Sequence, residues 1–520
     1  MVRITTSSGR WDSFAQTVAS FLASDVSRFE HEGRPIRGYR SPDTKPVWIR
    51  DHTYQVQFAR YLDTPDDLWL PYEFFLTRPR RDGSFWEWVS PGRPLKRLSV
   101  EADVEYLMAL GVHMVWQATG DDERMARALP AIEAGLRYSM SHPWRWSPDH
   151  GLIKRAFTID TWDFQYLGRV APDQPFRTDI GPFTRFGIMH GDNSGLYAAA
   201  RRLALMRAHL GDAERAAHWN DAAARVRERL NALCWNGRFY RHFLHIDPCE
   251  VPGLDEEDVL SLSNTYDINR GVASREQAVL VLDEFARRGR ELTPRPFAPW
   301  FTIQPCFPAG VFGDLGHAFG ENQYINGGLM PFVGGELALA ALENGRERFG
   351  ADQLALYAGM VRRTGKAYFC YRYDGEPDLY RDSIIPTDGW GASAMANALV
   401  AGLAGIVDDS TRFADVRLSP RWPAADEDRA DVSVGYHGTD AFVSYRETTD
   451  RTARTVTLEL ECGPSTRRVR CHVLMPDGAR PVSVDLDGRP RAFTAAAVEG
   501  NAYADVTVEG GKGTVRVRFT

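Results

Sequence analysis

Residues 195–235 read "GLYAAARRLALMRAHLGDAERAAHWNDAAARVRERLNALCW". Apolar side chains return every three or four positions on both sides of Gly211 and Asp212, the period of amphipathic helices. Gly211 suits a helix C-cap and Asp212 the next N-cap. The stretch therefore predicts a helical hairpin. Working outward, the same period recurs in "WDSFAQTVASFLASDVSRF" from Trp11, in "VEADVEYLMALGVHMVWQAT" and in "ERMARALPAIEAGLRYSM". It returns in "VASREQAVLVLDEFARRG", in "INGGLMPFVGGELALAALENG" with "ADQLALYAGMVRRTG", and in "PTDGWGASAMANALVAGLAGI". Roughly a dozen helical segments result, and the pairs are not alike in sequence, which excludes a fixed-period solenoid. A closed toroid of paired helices buries one face of each.

After Pro420 the period changes to two. "ADVSVGYHG", "DAFVSYRET", "RTVTLELEC", "RRVRCHVLM", "RPVSVDLDG" and "GTVRVRF" alternate apolar and polar residues, with Asp-Gly turns at 477–478 and 487–488. The expected organisation is a closed toroid of paired helices over residues 1–410 and an antiparallel β-sandwich over 411–520.

The totals bound the function. In 520 residues, 62 basic and 69 acidic side chains leave a net charge of −7, which gives no electrostatic case for nucleic acid. No run of 18 apolar residues predicts a membrane span, and the first residues lack the apolar core of a signal peptide. The six cysteines are scattered; Cys462 and Cys471 lie near each other in strand-like segments, but free thiols in a reducing compartment fit better. The expectation is a cytoplasmic protein.

Four polar clusters at predicted helix starts are candidates for chemistry. "KPVWIRDHTYQVQFARYL" carries Trp48, Arg50, Asp51 and His52; an Arg–Asp pair beside Trp suits sugar hydroxyls, or else caps a helix. "TIDTWDFQYLG" at 158–168 sets Asp160 and Asp163 among Trp162, Phe164 and Tyr166. Desolvation by aromatic rings raises a carboxyl pKa, as a general acid requires; the alternative is a cap or a pair with Arg155. "FGENQYINGGLMPFVGGE" crowds Glu321, Asn322, Gln323 and Asn326 at a glycine-rich loop. "YDGEPDLYRDSIIPTDGWGASA" supplies Glu376, Asp378, Asp382 and Asp388 ahead of Trp390, with Asp388 well placed as an N-cap. His242 and His245 in "RHFLH" read as strand or core residues rather than a metal pair.

Taken in chain order, these motifs resemble those of the six-hairpin glycosidases, closest to the trehalase-like group and glycoside hydrolase family 63. "TWDFQ" is similar to the stretch that carries the general acid, which implies that role for Asp163. "HGDNSGLYAAARRLA" looks like the helix after it, and "WIRDHTY" like the segment whose Asp, here Asp51, binds sugar hydroxyls. "NQYINGGLMP" resembles the Asn-Gly loop, implying Gln323 and Asn326 as substrate ligands. "TDGWGASAMANAL" looks like the closing helix, and the general base precedes its Trp. Glu376 has the right chemistry at 14 residues before Trp390; Asp382, at 8 before, is nearer the spacing.

The resemblance implies an inverting glycoside hydrolase, exo-acting on an oligosaccharide or small glycoside. Asp163 would protonate the leaving oxygen and Glu376 or Asp382 would activate water, the two carboxyls roughly 6.5–9.5 Å apart. Trp48, Trp162 and Trp390 would face the sugar, and "GSFWEWVSPG" would line a subsite. The scheme calls for no cofactor and no metal; the partner is a carbohydrate. Rival readings are another enzyme on the same toroid, such as a phosphorylase, which would need a basic or hydroxyl-lined pocket where the base stands, a lyase or an epimerase, and a non-catalytic carbohydrate-binding protein.

Overall fold

The computed structural model describes residues 1–31, 33–90, 93–166, 176–309, 311 and 320–520. Among them are twelve α-helices: α1 (Phe14–Ser24), α2 (Ile49–Ala59), α3 (Pro65–Leu76), α4 (Val104–Thr119), α5 (Asp122–Ser139), α6 (His190–His209), α7 (Ala213–Cys234), α8 (Ser263–Asn269), α9 (Arg275–Glu291), α10 (Pro331–Glu343), α11 (Glu347–Thr364) and α12 (Gly389–Asn397). The hairpin of residues 195–235 forms as expected. Gly211 takes the left-handed conformation at φ 78°, and the Asp212 carboxylate accepts from the Arg215 N–H at 3.2 Å.

Helices adjacent in sequence pack in pairs, α4 with α5, α6 with α7 and α10 with α11. A second set of contacts joins alternate helices: α2 to α4, α4 to α6, α6 to α8, α8 to α10, α10 to α12, and α12 back to α2. The two sets differ in how they are buried. α7 hides one stripe, Ala216, Trp219, Ala222, Ala223, Val226, Leu230 and Cys234, and exposes the rest, which is the pattern of a helix with one wet face. α12 is buried at all nine residues. Small residues let the inner helices approach: a Cβ on Gly335 of α10 would sit 2.4 Å from the Ala394 backbone carbon of α12. Val26–His31 forms a strand that pairs with Arg34–Tyr39, although its residues 26–29 were read above as the end of a helix.

The last hundred residues form two sheets that share one core. The five-stranded sheet runs Ile406–Asp408, Asp415–Leu418, Arg468–Leu474, Asn501–Glu509, Thr494–Val498; its second and third strands are parallel, where antiparallel pairing alone was expected. The seven-stranded sheet contains Arg429–Gly435, Phe442–Asp450, Thr455–Cys462, Lys512–Phe519, Pro481–Leu486 and Arg489–Arg491, and its edge strand is Val2–Thr6. The first residues of the chain thus complete the β-layer that the sequence assigned to 411–520 alone. Asp487 and Gly488, both at positive φ, make the turn read from the Asp-Gly pair. All six cysteines are free thiols. Glu343 at the end of α10 joins the two parts, accepting from Arg417 at 2.7 Å and Arg421 at 3.2 Å. No helix among the described residues is long and apolar enough to cross a membrane.

Candidate active site

Arg50 and Asp51 lie in the first turn of α2, not in a loop; Trp48 is its N-cap. Trp48 is fixed from two sides. Its backbone pairs with Trp88, the two indoles 5.3 Å apart, and its Nε1 donates to Thr44 Oγ1 at 3.0 Å. Arg50 donates to Asp103 Oδ2 at 2.5 Å and to Glu101, so its guanidinium binds α2 to the start of α4 and is largely committed there. His52 is a core residue. It accepts the Tyr39 N–H at 3.3 Å, and burial lowers its pKa to about 3.

The two acids of "TIDTWDFQ" take different roles. Asp160 is fully buried at φ 45°, and its carboxylate accepts from Ser263 Oγ at 2.6 Å and Ser263 N at 3.1 Å; it caps the start of α8. Its own N–H donates to His242 Nε2 at 2.8 Å, while His245 bonds Glu256, so the two histidines do not converge. Asp163 is half-buried and makes no side-chain hydrogen bond to a neighbour among the described residues. Burial raises its carboxyl above the usual range, Arg50 opposes this, and Asp43 adds to it. The loop is held from behind. Arg155 donates to the Trp162 carbonyl at 2.5 Å and pairs at 3.2 Å with Asp192, in the first turn of α6. Arg155 thus pairs with neither acid of the loop. Gly168, the last residue of that motif, lies outside the described residues, as do 91–92 of "GSFWEWVSPG" and Phe319 of the third cluster.

Trp390 opens α12, where Asp388 is the N-cap as read, accepting from Trp390 N at 3.1 Å and from Gly391 N. The Trp390 indole stacks on Phe332 (4.4 Å) and on Tyr54 (5.0 Å, 8° between planes), and lies parallel to Trp162 at 6.4 Å. Trp390 and Trp162 line a cavity of about 80 Å³ with Asp43, Trp48, Arg50, Asp51, Asp163, Tyr324 and Arg381 among others. Six of the ten residues expected from sequence therefore meet: Trp48, Arg50, Asp51, Trp162, Asp163 and Trp390.

The other four do not. Glu376 is exposed at the tip of a turn, its N–H donating to Asp374 and its carbonyl accepting from Arg372 N. Asp382 is also exposed. Neither lines the cavity; the loop between α11 and α12 presents Arg381 there instead. Asn326 spends its amide on the backbone of Phe307, donating at 2.9 Å and accepting at 2.7 Å, and Gln323 lies outside the lining. Their loop contributes Tyr324, whose hydroxyl accepts from Trp162 Nε1 at 2.9 Å and whose ring packs 4.1 Å from Tyr380.

Sequence reading missed Asp43. It is 5% exposed and accepts from Ser41 Oγ at 2.6 Å, Tyr380 Oη at 3.0 Å and Arg381 at 3.2 Å. Two hydroxyls and a guanidinium are the surroundings of an anion. Asp51 differs: burial, then the charge of Asp43, pushes its pKa up to about 7, against Ser41 and Arg50. The hollow thus holds one carboxylate with strong donors and two carboxyls biased toward the protonated form. That is the separation of roles that acid–base chemistry requires.

No protein-family profile matches the sequence, and no curated protein matches it. The fold is shared with solved glycoside hydrolases of families 78 and 63. The family 78 rhamnosidase of Bacillus sp. GL1 superposes with a TM-score of 0.63 at 17% identity, over 92% of this chain and 43% of that one. The α-L-rhamnosidase from Dictyoglumus thermophilum gives 0.63 at 9% identity, over 99% and 50%. The family 63 mannosylglycerate hydrolase from Thermus thermophilus gives 0.52 at 15% identity, over 74% of this chain and all of that one. The chain spans about half the length of the two rhamnosidases.

Proposed function

We propose that the chain is an inverting glycoside hydrolase built on an (α/α)6 toroid, with residues 411–520 as an appended β-domain. It removes one sugar from the end of an oligosaccharide or small glycoside, in the cytoplasm. The observation that carries this reading is the single hollow in which Asp163 meets Asp43 and Asp51 over stacked indoles. Asp163, kept protonated by burial, donates to the departing glycosidic oxygen. Asp43 replaces Glu376 and Asp382 as the base: it accepts hydrogen bonds from Arg381, Tyr380 and Ser41, and it draws the proton from the attacking water. Asp51 hydrogen-bonds the sugar hydroxyls, and Trp48, Trp162 and Trp390 cover apolar ring faces. The hollow is small, about 80 Å³, against the ~300–1,000 Å³ of sites that hold drug-sized ligands, which favours a pocket over a long open cleft. Six free thiols agree with a reducing compartment.

The fold neighbours direct the substrate screen. Aryl α-rhamnosides and mannosylglycerate come first, then a disaccharide panel, with NMR of the fresh product's anomeric proton. Inversion of configuration supports the scheme; retention overturns it. A second reading has one specific observation in its favour. Arg381 and Tyr380 stand on the loop from which glycosidases of this fold would present the base, and a cation beside hydroxyls suits a phosphate nucleophile. Turnover that requires inorganic phosphate and releases a sugar 1-phosphate would make the enzyme a phosphorylase.

A further inference from the structure

Tyr54 and Trp390 form a partition. Trp390 lines the hollow described above, while Tyr54, stacked against it, lines a second cavity of about 220 Å³. All six alternate helices contribute to its wall: Gln57 from α2, His113 from α4, Arg202 from α6, Asn269 from α8, Glu336 from α10 and Asn397 from α12. α2 runs from one cavity to the other, from Arg50 and Asp51 in its first turn to Arg60 at its C-cap. The second cavity therefore lies on the same axis, behind the first.

Three arginines line the second cavity: Arg270 donates to the Gly191 carbonyl at 2.8 Å, Ser194 Oγ at 2.9 Å and Tyr54 Oη at 3.1 Å and acts on Glu336, so its guanidinium is committed. Arg60 and Arg202 both face it, and neither pairs with a carboxylate among the described residues. Arg60 donates only to neutral oxygens, Gln117 Oε1 at 3.1 Å and Tyr61 Oη at 3.0 Å, and its buried Nε has no partner. Arg202 is exposed and makes no hydrogen bond among the described residues. Burial, together with Arg202 and Arg60, holds His113 neutral. Asp408 and Asp409 act on these arginines only at longer range. The one carboxyl in the wall, Glu336, is pushed up by burial and accepts amide hydrogens from Asn269 at 2.6 Å and Gln57 at 3.3 Å. Together with Asn397, those amides make a set of donors and acceptors matched to hydroxyl groups.

We propose that this rear cavity is a binding site for a phosphate-bearing small polyol, or for free phosphate. The oxyanion sits between Arg60 and Arg202, and hydroxyls reach the amides of Gln57, Asn269 and Asn397. Two guanidiniums without acidic partners are an incomplete ion-pair arrangement that a doubly charged oxyanion completes. The inference stands apart from the proposed hydrolase activity.

Titration calorimetry of the full chain at constant ionic strength tests it, with inorganic phosphate, glycerol 3-phosphate, glucose 6-phosphate and glucose as probes and chloride as control. Saturable one-to-one binding of a phosphate probe is expected. Arg202→Gln, at an exposed position that the fold tolerates, weakens it at least tenfold, while Arg381→Gln in the front hollow leaves it unchanged. Tighter binding of the sugar phosphate than of free phosphate identifies the phosphorylated polyol; the reverse identifies the free ion. No saturation, equal binding by the Arg202→Gln protein, or loss with Arg381→Gln alone overturns the proposal. If the arginines serve only to offset helix C-terminal dipoles, Arg202→Gln lowers thermal stability and phosphate binds to neither protein.

Discussion

Asp163 combines three properties that a general acid needs: burial that disfavours its anion, no side-chain donor from a neighbour among the described residues, and direct access to a shared hollow. Asp163→Asn preserves shape and removes the proton, so the fold should persist by circular dichroism while turnover falls by about 10²–10⁴. Near-normal turnover in that variant would remove the mechanism. Asp43→Ala should be equally slow, but sodium azide should restore product formation as a glycosyl azide of inverted configuration, because the small anion takes the place of activated water. Glu376→Gln and Asp382→Asn should leave turnover within a few-fold of the parent protein; a large loss in either returns the base to the loop between α11 and α12. Asp163 and Trp390 were legible as residues of the hollow because each sits in a short motif among aromatic neighbours. Asp43 was not, since "GYRSPDTKP" has no period and the partner that gives it meaning, Tyr380, is 337 residues away.

Among the elements, the amphipathic hairpins and the buried helices α4, α10 and α12 declared themselves, while α2 and α8 did not. α7 has one apolar stripe, whereas α2, "IRDHTYQVQFA", buries Asp51, His52, Thr53 and Gln55 with its apolar residues and shows no stripe to find. α8, at seven residues, is too short for its period to register. α12 offers a test of how a buried helix start is held. Its cap Asp388 has a pKa raised to about 7 by burial, against two backbone donors. Asp388→Ala should lose about 0.5–2 kcal/mol of stability in urea unfolding. Asp388→Asn keeps an acceptor for Trp390 N and should lose much less at pH 8; equal losses would mean that the charge, not the cap, matters there. Gly335→Val should cost about 1–3 kcal/mol or more by forcing α10 away from α12, read as a lowered unfolding midpoint.

For the whole molecule, several buried acids push stability in the same direction. Asp25, beside Asp388, is raised to about 8 by burial and that neighbour; Glu447, with both oxygens unpartnered inside the β-layer, is raised to about 8 by burial alone. Their folded pKa values exceed the unfolded ones, so the unfolded chain releases its protons first. The stability they contribute is complete below about pH 4 and is lost as pH rises toward 8, by at most ~1.4 kcal/mol per pH unit for each group. Urea midpoints should fall between pH 5 and pH 8, and Glu447→Gln should flatten part of that fall; a rising midpoint would contradict these assignments. At this scale the passage from helices to strands was readable from the change of period near residue 420. The membership of Val2–Thr6 in the far sheet was not, because edge pairing leaves no mark in a five-residue strand.

That pairing has a consequence for biogenesis. Val2–Thr6 leaves the ribosome more than four hundred residues before Arg429–Gly435, the strand it must meet. At about 5–20 residues per second the interval is on the order of 20–80 s, during which the leading segment has no mate. That sheet can close only after Arg429–Gly435 has emerged, with the helices that lie between the two strands in sequence already made.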